Sequence, residues 1–565
     1  MSTHAVQVIT EVGAIDRPLD YLVPEGWATL DVGDRVRVPL QSRSVRGWVV
    51  GPATPDDTLK AVRTRLDGGV TPEVVDLARW AAGRWMAPTA RFLGAASPHR
   101  LVRETPVAPV APAVPALTDS AWDVAPGVVQ VGPTADVLGV VATAYRACTT
   151  RRGSLIVVVP TEGWAQRLRH RLERRGVPVA GSEDAERVVA GWPVVVGTRS
   201  AVWAPVPVLG ALVVLDADDP SLVSSAWPRW GATEVAQRRA ELAGAPWWAT
   251  TVVPPPALAV QVTRHETRPA LWPAVRVIDR RRSDPHDGWL AAEAVRAAHQ
   301  ALATSEDVAV AVLLQRLGTG RLLACGRCGE LYRCEVCGGA EIEQGEMVAC
   351  RDQHAPRPAF CRHCGSTQVR RRRVGVQGLA TAVAAQLAQP VSVVTSGARV
   401  EGLERVVVGT EALWSRVRRA ALVVVADFDQ YLLAPRADAR REALLAVARA
   451  GRVVGGRGEG RGAVILQTRR SEDPVVRALE SGDIDEVLDE EVATARQLGL
   501  APFGATAVVR GPGAAAAATA AAALATGLRV WAGPDDWTVW APDGRVLRDA
   551  LAAMALGAGV RIDVE

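Results

Sequence analysis

Between residues 5 and 52 short apolar runs alternate with breaks rich in Gly and Pro: residues 5–10, 21–23, 34–39 and 47–50. That pattern predicts a small strand-rich domain. Residues 72–95 carry apolar positions at helical spacing behind a Thr-Pro start, which predicts a helix. Residues 101–120 (LVRETPVAPVAPAVPALTDS) repeat Pro and Val without periodicity and read as an extended linker. From about residue 127 continuous apolar runs, at 128–131, 155–159, 194–197, 212–215 and 247–250, are separated by helical stretches such as 163–175 and 233–243. Strands without polar alternation, bounded by helices, predict a parallel sheet covered on both faces. A second series follows at 308–314, 391–395, 405–409, 422–426 and 463–467, interrupted after its first strand by a cluster of cysteines. From about residue 484 helix and strand mix, and the alanine run at 514–523 predicts a helix. The expected fold class is multidomain α/β. A strand-rich head (1–100) and a linker (101–122) precede two tandem parallel-sheet lobes (123–265 and 266–475). The second lobe carries a cysteine-rich module at 322–368, and an α+β tail (476–565) follows.

Composition narrows the function. The chain has 565 residues, 48% hydrophobic and 22% charged, as a soluble globular protein does. No stretch approaches the roughly 20 apolar residues of a membrane span. The amino terminus lacks a basic start followed by an apolar core, so export is not expected. A net charge of +4 leaves any nucleic-acid site to be local. Lys60 is the only lysine, which closes every mechanism that needs a lysine elsewhere, the phosphate-binding loop among them.

Seven of the eight cysteines lie between Cys325 and Cys364. Three CxxC pairs, Cys325/Cys328, Cys334/Cys337 and Cys361/Cys364, each let a tight turn aim two thiolates at one metal, and Cys350 adds a seventh thiolate. Seven ligands fall one short of two tetrahedral zinc sites. Asp352, Gln353 and His354 are the candidate eighth, with the imidazole of His354 the best donor chemically. Sites closed by cysteine are structural, so no catalysis is assigned to them. Cys148, alone, reads as a core thiol.

In several motifs the chain resembles the PriA family of bacterial primosomal replication-restart proteins. DRPLDYLVPEG (16–26) and GDRVRVPL (33–40) are similar to the family's PFDYLVP…G.RVRVPFG. VVVGTRSAVWAPVPVLGALVVLDADD (194–219) is similar to its IVIGTRSALFAPF.NLG.IIVDEEHD. CGRCGELYRCEVC (325–337), FCRHCGS (360–366), ARAGR (448–452), VILQT (464–468), LGLAPFG (498–504) and VRIDVE (560–565) follow in the family's order. The resemblance implies a head that holds the 3′ end of a DNA strand through Leu19, Asp20, Tyr21 and Lys60, and two helicase-like (RecA-like) lobes. It also implies interleaved zinc pairing: Cys325 and Cys328 with Cys361 and Cys364, enclosing Cys334 and Cys337 with Cys350 and the eighth ligand. A carboxylate at Asp20 accepts from a 3′-hydroxyl, and a Tyr21 face stacks on a base; the alternative is a turn aspartate and a core aromatic. Where the family has a glycine after its VPF, this chain has Gln41. Arg370, Arg371, Arg372 and Arg373 read either as a solvated face or as phosphate contacts, and Arg280–Arg282 is read in the same two ways.

The departures shape the expected activity. Where the family carries GVTGSGKTE, this chain has VVQVGPTADVLG (128–139), without the glycine run, the lysine or the magnesium-binding hydroxyl. The family's DEEH becomes Asp216, Ala217, Asp218 and Asp219, its GSATP becomes WATTVVP (248–254), and its sixth-motif arginines are reduced to Arg449 and Arg452. Phosphoryl transfer rests on positioning and electrostatic stabilisation. Gly132, Asp216, Asp218 and Asp219 therefore mark a degenerate nucleotide site: no catalytic residue is assigned, and ATP with Mg2+ is not an expected cofactor, unlike two zinc ions. Residues 100–122 are too few for the winged helix of other family members. The resemblance implies a cytoplasmic, nucleoid-associated protein that binds forks with a 3′ end and works with primosome proteins and the replicative helicase. The alternative is an active ATP-dependent 3′-to-5′ helicase with divergent motifs.

Overall fold

The computed structural model describes residues 4–13, 15–97, 105–112, 117, 120–281, 288–304, 308–315, 323–336, 341–345, 347–350, 354–371, 375–395, 402–434, 436–511, 523, 527–532, 536–552 and 560–564. They divide into two compact units. One holds Met1–Val129, Asp136–His265 and Glu491–Glu565; the other holds Gln130–Ala135 and Glu266–Glu490.

In the first unit the head is a five-stranded sheet built from β1 (Ala5–Thr10), β2 (Leu19–Leu22), β3 (Arg35–Leu40), β4 (Arg43–Ala53) and β5 (Thr64–Leu66), in the order β2-β1-β4-β3-β5. All pairings given by register are antiparallel. Inward positions such as Val6, Val8, Val36, Val38 and Val49 fill its core. Gly33, at φ +98°, lets the chain pass Val70 closely: a Cβ there would fall 2.0 Å from the Val70 carbonyl oxygen. The helical pattern at 72–95 becomes two helices, a correction with a local cause. Helix α1 (Pro72–Trp85) starts at Thr71, whose hydroxyl caps the Val74 N–H at 3.4 Å, and stops at Met86, which is left-handed at φ +48°. Pro88 bars continuation, and α2 (Thr89–Ala96) begins afresh.

The seven-stranded sheet contains β6 (Gly127–Val131), β7 (Ser154–Val158), β8 (Val179–Gly181), β9 (Val194–Gly197), β10 (Leu209–Val214), β11 (Trp247–Thr251) and β12 (Val262–Glu266), in the order β12-β6-β11-β10-β7-β9-β8. Its registered pairs are parallel. Helices α3 (Leu138–Arg151) and α4 (Ala232–Ala243) belong to this lobe. The unforeseen strands β8 and β12 are the two edges. Head and lobe share one apolar core. Trp80, Trp85, Phe92, Trp203 and Trp230 follow each other with ring centroids 5.4, 6.1, 5.6 and 5.7 Å apart.

In the second unit β13 (Ala274–Asp279), β14 (Val310–Leu313), β20 (Val391–Val394), β21 (Val406–Gly409), β22 (Leu422–Val425) and β23 (Ala463–Thr468) form a parallel sheet ordered β13-β23-β22-β14-β21-β20. Helix α5 (Ala439–Val454) packs on it. The run VVVGT occurs at the end of both β9 and β21, each time followed by a short 3-10 turn. The cysteine module is inserted after β14. It pairs β15 (Leu323–Cys325) with β19 (Val369–Arg371), and β17 (Met347–Cys350) with β16 (Glu341–Gln344) and β18 (Arg357–Pro358). The tail, back in the first unit, is an antiparallel sheet ordered β25-β26-β24-β27: β24 (Ala505–Arg510), β25 (Arg529–Ala532), β26 (Trp537–Ala541) and β27 (Arg561–Val564), with α6 (Gly544–Ala552) against it. Of the alanine run at 514–523 only Ala523, which is buried, lies within the described residues.

One buried ion pair seals the shared core. Arg239 of α4 is fully buried; its Nε donates to Glu73 of α1 at 2.9 Å and its Nη1 to the Val202 carbonyl at 2.7 Å. Removing one partner of such a pair leaves an uncompensated buried charge. Glu73→Ala should therefore lower the stability of the chain by about 3–5 kcal/mol, whereas Glu73→Leu with Arg239→Met should recover most of the loss. Urea denaturation followed by tryptophan fluorescence measures both, and an unchanged midpoint for Glu73→Ala would remove the pair from the account.

Candidate functional site

In the head, β2 is an edge strand paired with β1, so Asp20 lies opposite Gln7 and Leu19 opposite Val8. Asp20 and Lys60 are exposed and Leu19 is half-buried. The loop bearing Lys60 is tied to β2: the Leu22 N–H donates to the Lys60 carbonyl at 3.0 Å, and the Val62 N–H to the Leu22 carbonyl at 2.9 Å. Residues distant in sequence are thereby gathered at one sheet edge. A cavity of about 330 Å³ beside it is lined by Ile15, Asp16, Arg17, Leu19 and Leu40. Tyr21 is buried at 4% exposure, which raises its pKa, and its hydroxyl donates to the Pro39 carbonyl at 3.2 Å. It holds the β3–β4 turn from within and offers no open face. At that turn Gln41 is left-handed at φ +52°, a conformation a glycine adopts without strain.

The cysteine module gathers two sets of ligands. Cys325, Cys328, Cys361 and Cys364 form one; Cys334, Cys350 and His354 form the other, each with its ligand atoms within 4.8 Å of one another. Cys325 Sγ lies 3.5 Å from Cys364 Sγ, and Cys328 Sγ 3.5 Å from Cys361 Sγ. His354 Nδ1 lies 3.4 Å from Cys350 Sγ and 3.5 Å from Cys334 Sγ. Thiolates around tetrahedral zinc sit about 3.8 Å apart for bonds of about 2.3 Å, so both sets fit a metal ion. Burial works against charge at Cys325, but the N–H groups of Cys328 and Arg327 hold its thiol at about 7, while burial pushes that of Cys328 to about 12. A metal that replaces these protons relieves the conflict. Cys337, Asp352 and Gln353 lie outside the described residues. A pair that sequence reading missed braces the module: Glu341 is buried and takes two bonds from Arg357, Nε at 2.9 Å and Nη2 at 2.5 Å. Its signal was an alternating strand, EIEQ, amid cysteines.

At the C-terminal end of β6 the loop closes on itself, with the Ala135 N–H donating to the Gly132 carbonyl at 3.1 Å. When GSGKT is laid on residues 133–137, Asp136 falls at the lysine. Its carboxylate accepts the Leu138 N–H at 3.1 Å and is gripped by Arg171, at 2.9 and 2.5 Å. Burial works against its charge, but Arg171 and Leu138 outweigh it and hold the carboxyl below its usual range. A carboxylate thus sits at the start of α3, where phosphate-binding loops place a cation. The acidic group after β10 is engaged in scaffold. Asp216, buried and left-handed at φ +51°, donates its N–H to Thr250 Oγ1 at 3.1 Å. Asp218 accepts from the Val252 and Val253 N–H groups at 3.0 and 2.7 Å, and Asp219 from the Ser221 N–H at 2.9 Å. In the second unit Arg449 pairs with Glu411 at 3.0 Å, a carboxylate that also accepts from Trp414 and Tyr431. Glu411 was not singled out from the sequence, although it directly follows the second VVVGT run.

Among the remaining candidates, Arg370 and Arg371 lie on β19, and Arg372, Arg373 and Arg282 lie outside the described residues. Arg280 is buried, with Nη2 on the Gly288 carbonyl at 3.0 Å, and Arg281 pairs with Asp279 at 2.6 Å. Cys148 is fully buried, donates to the Gly153 carbonyl at 2.8 Å, and is pushed by burial to about 12.

Comparison with known proteins follows the same lines. The family model of the PriA 3′DNA-binding domain (3′BD) matches residues 7–98. The probable replication restart protein PriA of Mycobacterium tuberculosis (strain H37Rv) is 29% identical over 587 residues, covering 88% of this chain and 85% of the relative. The replication restart protein PriA of Synechocystis sp. is 25% identical over 418 residues, covering 64% and 50%. Among solved structures, the DNA-bound helicase MrfA matches with a TM-score of 0.35 and 12% identity over 66% of this chain and 48% of that one, too loosely to argue from.

Proposed function

We propose, for a chain that belongs to the PriA family of replication restart proteins, that it binds branched DNA presenting a 3′ end and helps reload the replicative helicase without unwinding DNA itself. The observation that carries this reading is the contrast between its two ends of chemistry. The head keeps an exposed carboxylate and the sole lysine at one sheet edge. The loop after β6 carries an aspartate gripped by an arginine where ATP hydrolysis needs a cation. In this reading Asp20 accepts from the terminal 3′-hydroxyl, Lys60 and Arg370–Arg373 meet phosphates, and primosome proteins dock on the assembled fork in the cytoplasm. The cysteine module binds two zinc ions that fix its fold, Cys337 completing the second site with Cys334, Cys350 and His354.

Three measurements test it. Steady-state ATP turnover with forked DNA should stay far below about 1 s⁻¹, the low end for working enzymes; turnover at that rate with strand displacement means an active helicase. Asp20→Ala should weaken binding to forks with a free 3′-hydroxyl by about 1–3 kcal/mol and leave forks blocked by a 3′-phosphate almost unchanged, as read by fluorescence anisotropy. Equal weakening on both would place the effect in folding. Elemental analysis should find two zinc ions per chain and one fewer in His354→Ala; a variant that keeps both moves the eighth ligand to Asp352, Gln353 or water.

A further inference from the structure

Residues Gln130–Ala135 fold within the second compact unit, together with Glu266–Glu490. There they meet a short turn, Pro269–Leu271, that leads into the fully buried Trp272. The Leu271 side chain lies directly on Gly132: a Cβ at 132 would fall 2.4 Å from Leu271 Cβ and 2.8 Å from its Cδ1. The Thr134 hydroxyl donates to the Leu271 carbonyl at 2.8 Å. Arg452 of α5 donates its Nε–H to the Pro133 carbonyl at 3.2 Å. On the other side Gly456 is equally crowded, since a Cβ there would fall 2.5 Å from the Ala270 carbonyl oxygen and 2.9 Å from Thr134 Oγ1. Three residues of the loop, one neighbouring turn and an arginine thus form one interlocked contact.

We propose that the Pro269–Trp272 turn is a built-in plug for the loop after β6, seated by Leu271 and pinned by Arg452. A phosphate-binding loop works by leaving its backbone open to an anion. Here the Gly132 face is covered by a leucine and the Thr134 hydroxyl is spent on a carbonyl. Arg452, an arginine of the kind that meets the γ-phosphate in the family's ATPases, is a positioning residue for Pro133. The inference rests on the proposed loss of ATP turnover and supplies a steric cause for it, separate from the missing lysine. It follows that inserting a lysine-bearing loop sequence alone leaves the site closed, because Leu271 still fills it.

Hydrogen exchange by mass spectrometry on the full chain tests the plug, read on the peptide covering residues 130–138. Leu271→Gly and Arg452→Ala should each speed exchange there by about tenfold or more, with no change in β14, which reports that the unit stays folded. Arg440→Ala, which removes a surface pair with Glu490, should leave the peptide as it is. Gly132→Ala should speed exchange alone and add nothing in the Leu271→Gly background, since its clash is with that side chain. Millimolar MgATP should not slow exchange of the wild-type peptide. Wild-type exchange in both Leu271→Gly and Arg452→Ala overturns the plug. So does protection by MgATP, which without turnover leaves the restart reading standing; turnover on forks sinks both.

Discussion

Burial of both faces of two parallel sheets is the constraint on which the rest of the molecule depends. In β7, β9, β10, β21 and β22 every residue is buried. Each Val or Leu so placed contributes about 1.5–3 kcal/mol, and none of that depends on which residues occupy the loops at the strand ends. The loops are where such sheets keep their chemistry. A chain can therefore exchange a lysine for an aspartate at one loop and keep the strands on either side.

The polar residues at these loops are engaged in ordinary structural bonding. Asp218 caps two backbone N–H groups. Arg449 is held by a carboxylate. Asp136 faces Arg171. Unit charges about 4 Å apart interact by about 4 kcal/mol near a protein surface, so the neutral Asp136–Arg171 pair offers a phosphate none of the attraction that a free lysine would supply. The cysteine module differs: its small apolar cluster, including Leu323, Tyr332 and Val348, itself contains Cys325 and Cys361, two of the residues that could hold a metal ion.

Central strands were legible because burial on both faces leaves continuous apolar runs. The edge strands β8, β12 and β13 were not, since an edge needs fewer apolar positions; β13 reads AVRVID, with Arg276 between its two valines. The two-helix break at Met86 escaped because apolar spacing continues across it, and only the left-handed φ and Pro88 separate α1 from α2. Paired cysteines announce themselves by spacing, and among the described residues the structure gathers six cysteines of the module, with His354, as two sets that could hold metal ions. The residues at the loop after β6 could not be paired from sequence. Leu271 is an unremarked leucine in a Pro-bearing turn, 137 residues from Thr134, and no periodicity links them. Tyr21 shows the same limit at short range: a motif places it on β2, but only the pleat decides that its ring points inward.

The solitary lysine has a consequence beyond binding. Lys60 is exposed and its backbone is clamped to Leu22, next to Asp20. Every other side-chain cation apart from histidine is a guanidinium, which stays protonated and is a poor nucleophile at neutral pH. Acylation of a side-chain amine therefore has a single address in these 565 residues, and it lies at the edge of the strand that the head presents to solvent. One covalent event there erases the only ammonium charge that a side chain of this protein possesses.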